Sequence, residues 1–127
     1  RMGYKNLLLI DDDSDDQEIF LEVLKRLTQP VKCTVYDGAR EALQSLISKE
    51  IRPDVIFLDL NMPIMSGQQF LVEIKKMEGL KDIPIIIFST SSHSLTIQLT
   101  KELGAHDFIT KPNNFNDLTT ILKPLID

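Results

Sequence analysis

Five times along this chain a short run of strand-forming apolar residues gives way to a longer segment with helical spacing. Leu7 to Ile10 reads as a buried strand, and Ile19, Phe20, Val23, Leu24 and Leu27 then share one helical face. Pro30 closes that helix. Cys33 to Tyr36 is a second strand, ended by Asp37-Gly38, and Ala39, Ala42, Leu43, Leu46 and Ile47 form the next stripe. Asp54 to Leu58 is the third strand, and Phe70, Leu71, Ile74 and Met77 follow at helical spacing. Pro84 to Phe88 is the fourth. Leu95, Leu99 and Leu103 suggest a helix from Ser92 to Leu103, although Thr96, Ile97 and Thr100 lower its propensity. Asp107 to Thr110 is the fifth strand, before a last helix lined by Phe115, Leu118, Ile121, Leu122 and Leu125 and capped near Asn114 or Asn116.

Strands without polar alternation are buried on both faces. Separated by helices, they specify a parallel sheet with helices on either side. Right-handed crossovers make it a doubly wound α/β sheet. The 127 residues fit one such domain, residues 1–127, and show no repeat or linker. The formal charge of −5 disfavours direct contact with nucleic acid. A single cysteine, Cys33, excludes an intrachain disulfide or a Cys-rich metal site; it reads as a small core residue in a reducing, cytoplasmic setting. No apolar run approaches the roughly 20 residues of a membrane span, so no membrane association is expected.

In sheets of this kind, ligands bind outside the carboxyl ends of the strands. Asp11, Asp12 and Asp13 follow the first strand; Asp59 follows the third, with Asn61 beyond it. Ser89 and Thr90 follow the fourth, and Lys111 the fifth. Asp13, Asp15 and Asp16 read as a solvated first helical turn, where acids gain from the helix dipole. Asp11 and Asp12 continue a buried strand and are expected close to Asp59. Crowded carboxylates repel unless a proton or a cation joins them. Few oxygen ligands with open positions suit Mg2+, with Mn2+ as an alternative. A carboxylate beside such a cation can attack phosphorus and form an aspartyl phosphate, and Lys111 can neutralise a phosphoryl oxygen. A cis bond at Pro112 would aim Lys111 inward. His93, His106, Lys49, Lys75, Lys76 and Lys81 read as surface, and Met62 and Met65 as a rim beside Asp59.

These pieces together resemble the receiver domain of two-component response regulators, the CheY-like superfamily. They are Leu7 to Asp13, then Leu58-Asp59-Leu60-Asn61-Met62-Pro63 with Gly67, then Ser89-Thr90, then Thr110-Lys111-Pro112. Ser89 and Lys111 follow Asp59 by 30 and 52 residues, as that family requires. The resemblance spans essentially the whole chain and implies a flavodoxin-like (β-α)5 fold with strand order 2-1-3-4-5. It implies that Asp59 is the phosphoacceptor. Asp11 and Asp12 would hold the metal with Asp59, and Asn61 would add its backbone carbonyl. Ser89 would be the switch hydroxyl, Phe108 the switch aromatic and Lys111 the phosphate-binding lysine. Gly67 would permit the turn into the third helix.

The implied activity is phosphoryl transfer to Asp59 from a histidine kinase or a histidine phosphotransfer protein, then hydrolysis. The chain would be a signalling phosphoacceptor and no enzyme in the usual sense. Asn61 and Ser91, each two residues beyond a strand-end group, are expected to tune the phosphate lifetime. The output would be an unidentified downstream protein, met by a stand-alone regulator or by one excised from a longer chain, as a monomer or a phosphorylation-dependent dimer. Three rivals fit less well. A haloacid-dehalogenase-type phosphatase would want a second Asp where Asn61 stands. A flavodoxin-like cofactor binder would want a hydroxyl- and glycine-rich phosphate loop where the acids are. A binding module without chemistry would have lost the acceptor or the acids.

Overall fold

The computed structural model describes residues 3–127. Ten elements alternate: β1 (Asn6–Ile10), α1 (Ser14–Arg26), β2 (Lys32–Tyr36), α2 (Ala39–Ile47), β3 (Val55–Leu58), α3 (Gly67–Ile74), β4 (Ile85–Ser89), α4 (Ser94–Glu102), β5 (Asp107–Thr110) and α5 (Phe115–Ile126). All pairings are parallel, and the sheet order is β2-β1-β3-β4-β5. This is the expected doubly wound fold.

The core explains why the central strands lack alternation. Leu8, Ile10, Ile56, Leu58, Ile85 and Ile87 face the layer formed with α2 and α3. Leu7, Leu9, Val55, Phe57, Ile86 and Phe88 face the layer formed with α1 and α5. Every residue of β1, β3 and β4 that meets a layer is therefore apolar, whichever way it points. Phe20, Phe57 and Phe88 pack edge to face at centroid separations of 5.1, 5.6 and 6.5 Å.

Three helical stripes differ from the sequence reading. Ile19 and Ile47 lie at the margins of their stripes and are 38% and 52% exposed. In α4 the expected face is turned outward: Leu95 is 80% exposed and Leu99 42%, while Thr100 is fully buried. Thr100 tolerates burial because its hydroxyl donates to the carbonyl of Ile97 at 3.0 Å. The α4 helix lies beside edge strand β5 and buries a single residue against it.

Candidate functional site

Register places the site. Ile10 pairs with Leu58, so Asp11 and Asp59 leave adjacent strands side by side. The Asp59 N–H donates to Ile10 O at 2.9 Å, and the Asp11 N–H to Tyr36 O at 3.0 Å, which extends the ladder one residue past the strands. The chain order reverses between β1 and β3, so their connections leave on opposite faces and open a crevice. Ser89 pairs with Thr110, and the Lys111 N–H donates to Ser89 O at 2.8 Å. Ser89 thus belongs to β4 itself, one residue beyond the expected end. The peptide bond before Pro112 is trans, and among the described residues none is cis. The expected cis bond is unnecessary, because ladder pairing at Lys111 already sets the direction of its side chain.

Asp11, Asp12 and Asp59 come together: each offers a carboxylate oxygen within 4.8 Å of the others. Asp11 and Asp59 are buried, and Asp12 is exposed. Lys111 Nζ lies 2.8 Å from Asp11 Oδ2, 2.9 Å from Asp16 Oδ2 and 3.8 Å from Asp59 Oδ1. A directed hydrogen bond goes to Asp16. Nζ also sits 5.6 Å from the centre of the Phe88 ring. Asp11 Oδ1 accepts from the Asp13 N–H at 3.0 Å, and Gln17 Nε2 donates to the Asp11 carbonyl. Asp11 Oδ2 is buried and ion-paired with Lys111.

Burial pushes the Asp59 carboxyl up to about 6; Lys111 and the amides of Asn61 and Leu60 pull against this, and Asp11 adds to it. Burial likewise raises Asp11. Desolvation acts to lower Lys111, but its bonds to Asp11 and Asp16 outweigh it and the net shift is upward. The basin therefore holds one firmly charged ammonium among carboxylates that resist joint ionisation. Three carboxylates within 4.8 Å of one another, an all-oxygen donor set and one exposed side fit a hard divalent cation.

The remaining expected residues share this edge without joining the carboxylate cluster. Ser89 is fully buried, and its Oγ accepts from the Ser91 N–H at 3.4 Å. Asn61 and Thr90 are exposed, and Phe108 is half-buried against the α2–α3 layer. Met62 is buried in that layer, so it supports the loop from beneath and is more than a rim. Gly67 follows a different rationale from the expected one. A Cβ there would collide with the Asp59 carbonyl and stand 2.7 Å from Leu60 Cα. Close approach fixes this glycine; the residue that takes a positive φ in the loop is Ile64, at 70°. Lys75 is also less free than expected, half-buried with Nζ donating to the Lys81 carbonyl at 2.9 Å.

Sequence reading missed Asp16, placing it on a solvated turn. Its side chain is 32% exposed and bonds Lys111. The signal was present: Asp16 precedes fully buried Phe20 by four residues, which places both on one face of α1. Asp13 is the N-cap, accepting from the Asp15 and Asp16 amides, and so fixes the turn that carries Asp16.

A 2-1-3-4-5 sheet with acids and a lysine at its switch point defines the CheY-like class of doubly wound proteins. Residues 7–123 match the response regulator receiver domain, and the chain belongs to that family. The two-component response regulator ORR5 of Oryza sativa subsp. japonica is 31% identical over 121 residues, covering 95% of this chain and 88% of that protein. Response regulator Rcp1 of Synechocystis sp. is 32% identical over 119 residues, covering 90% and 81%. Among solved structures, the phosphorylated cyanobacterial phytochrome response regulator RcpA superposes with a TM-score of 0.88 at 32% identity, covering 96% of this chain and 91% of that one. The Mn(2+)-bound form of Rcp1 gives 0.86 at 30%, covering 95% and 91%. Among the described residues, no helix is long and apolar enough to cross a membrane.

Proposed function

We propose that this receiver domain, residues 1–127, takes a phosphoryl group onto Asp59 from the phosphohistidine of a histidine kinase or phosphotransfer protein. The carrying observation is that Asp59 is buried beside two further carboxylates, with the Lys111 ammonium 3.8 Å away. An Asp59 carboxylate oxygen attacks phosphorus; the P–O bond forms as the P–N bond to the donor imidazole breaks, and that nitrogen takes a proton. Asp11, Asp12, Asp59 and the Asn61 carbonyl are the residues that would hold Mg2+ or Mn2+. A bound cation supplies charge neutralisation at the phosphoryl oxygens. That the similar protein Rcp1 has been solved in a Mn(2+)-bound form supports a divalent cation here.

Lys111 stabilises the charge that develops on the phosphoryl oxygens. Ser89 exchanges its bond with the Ser91 amide for a phosphoryl oxygen, and Phe108 follows on β5, so the face of α4, β5 and α5 changes for a downstream protein. Water then attacks phosphorus, the bond to Asp59 breaks, and inorganic phosphate leaves. Asn61 and Ser91 flank the approach of that water and set its rate. The domain is a phosphoacceptor that catalyses only its own turnover, acting in the cytoplasm as a monomer or a phosphorylation-dependent dimer.

The test is incubation with acetyl phosphate and Mg2+, then intact mass. One added phosphoryl group, lost in Asp59→Ala and without Mg2+, is expected. An adduct that persists in Asp59→Ala, or steady turnover of a phosphate ester with none trapped, would overturn the reading.

A further inference from the structure

The geometry points to Asp16 as a positioning residue that withholds Lys111 from Asp59 and so limits how readily the basin captures a phosphoryl group. This rests on Asp59 being the acceptor. An ammonium has three N–H donors and no acceptor. Two of them are taken by acids: Lys111 Nζ lies 2.8 Å from Asp11 Oδ2 and 2.9 Å from Asp16 Oδ2. Asp59 Oδ1, at 3.8 Å, is beyond hydrogen-bond reach. In this resting arrangement the short contacts of the lysine go to Asp11 and Asp16, and the acceptor is the farthest of the three acids around it.

The hold is local and rigid. Asp13 caps the first turn of α1, and Phe20, one turn further on, is fully buried. The Lys111 side chain is only 7% exposed and rests over the Phe88 ring, so solvent weakens this ion pair less than a surface one. Asp16 also stands outside the group of acids close enough to share a cation, which is Asp11, Asp12 and Asp59. A divalent ion that draws off Asp11 therefore leaves the Asp16 bond in place. An arriving phosphoryl group must recruit Lys111 against that charge-assisted bond, and meets one more negative charge while doing so.

Asp16→Asn separates charge from shape, because the amide keeps an acceptor oxygen where the carboxylate stood. Wild type, Asp16→Asn, Asp16→Ala and Asp16→Glu are titrated with beryllofluoride at saturating Mg2+ and followed by 19F NMR. The Asn and Ala proteins are expected to bind about fivefold tighter than wild type, the scale of one partly screened ion pair. The fluorine resonance nearest Lys111 should shift in both. Asp16→Glu, which keeps the charge, should stay near wild type. Equal or weaker binding by Asp16→Asn, or tightening by Asp16→Glu as large as by Asp16→Asn, overturns the proposal. A wild type that binds no beryllofluoride overturns the acceptor reading itself, and this inference with it.

Discussion

Asp59 carries a standing cost. Its folded pKa of about 6 lies above the ordinary 3.8, so the folded state binds this proton more tightly than the unfolded chain does. The contribution favours folding below about pH 4, is lost as pH rises towards 6, and stays lost above it. Its size is at most about 3 kcal/mol, from a shift of roughly two pH units. Asp59→Asn should therefore be more stable than wild type at pH 7, with the difference shrinking towards pH 4. Paired urea titrations at the two pH values measure this, and a gap independent of pH would contradict it. Saturating Mg2+ should narrow the gap at pH 7 by stabilising wild type more than the variant, which lacks one of the charged donors. At Cys33 burial alone sets the shift: the thiol is pushed up to about 12, which leaves it a poor nucleophile.

At the level of elements, Gly67 joins the helix α3 to the acceptor strand. Its N–H donates to the Leu60 carbonyl at 3.0 Å, and Ser66 and Gln69 close a capping box around it. Gly67→Ala forces a methyl against backbone that cannot yield, so a loss of about 2 kcal/mol is expected in urea unfolding. Beryllofluoride binding should weaken in parallel, since the displaced atoms belong to Asp59 and Leu60. That glycine shows where sequence reading stops. Asp11 and Asp59 were legible because each ends a run whose apolar character already fixed it as a buried strand, and Lys111 because it follows the last short strand before Pro112. The close approach at Gly67 depends on how the loop after Asp59 folds back, which no apolar pattern records; the Asp16–Lys111 bond joins segments distant in sequence, and the spacing of Asp16 to Phe20 hints only at its face. In α4 the pattern misled: leucines at helical spacing imitate a buried stripe, but a helix beside an edge strand has little core to meet.

Across the molecule, anchoring is uneven. Strands β1, β3 and β4 are buried along nearly their whole length, whereas Thr100 is the one buried residue of α4. Hydrogen exchange should show α4 amides opening well below the free energy of global unfolding, and amides of the three central strands near it. Uniform protection of α4 and the sheet would contradict that expectation. The opposite pole is tied more firmly. The Tyr4 N–H donates to the Leu125 carbonyl at 3.3 Å, and the Asp127 carboxylate accepts from the amides of Thr28 and Gln29. Residues near both extremities are thereby pinned beside the start of the sheet, a full strand length from the acids. A fluorophore attached beside Thr28 or Gln29 would ride behind the sheet, leaving the crevice open to an incoming donor.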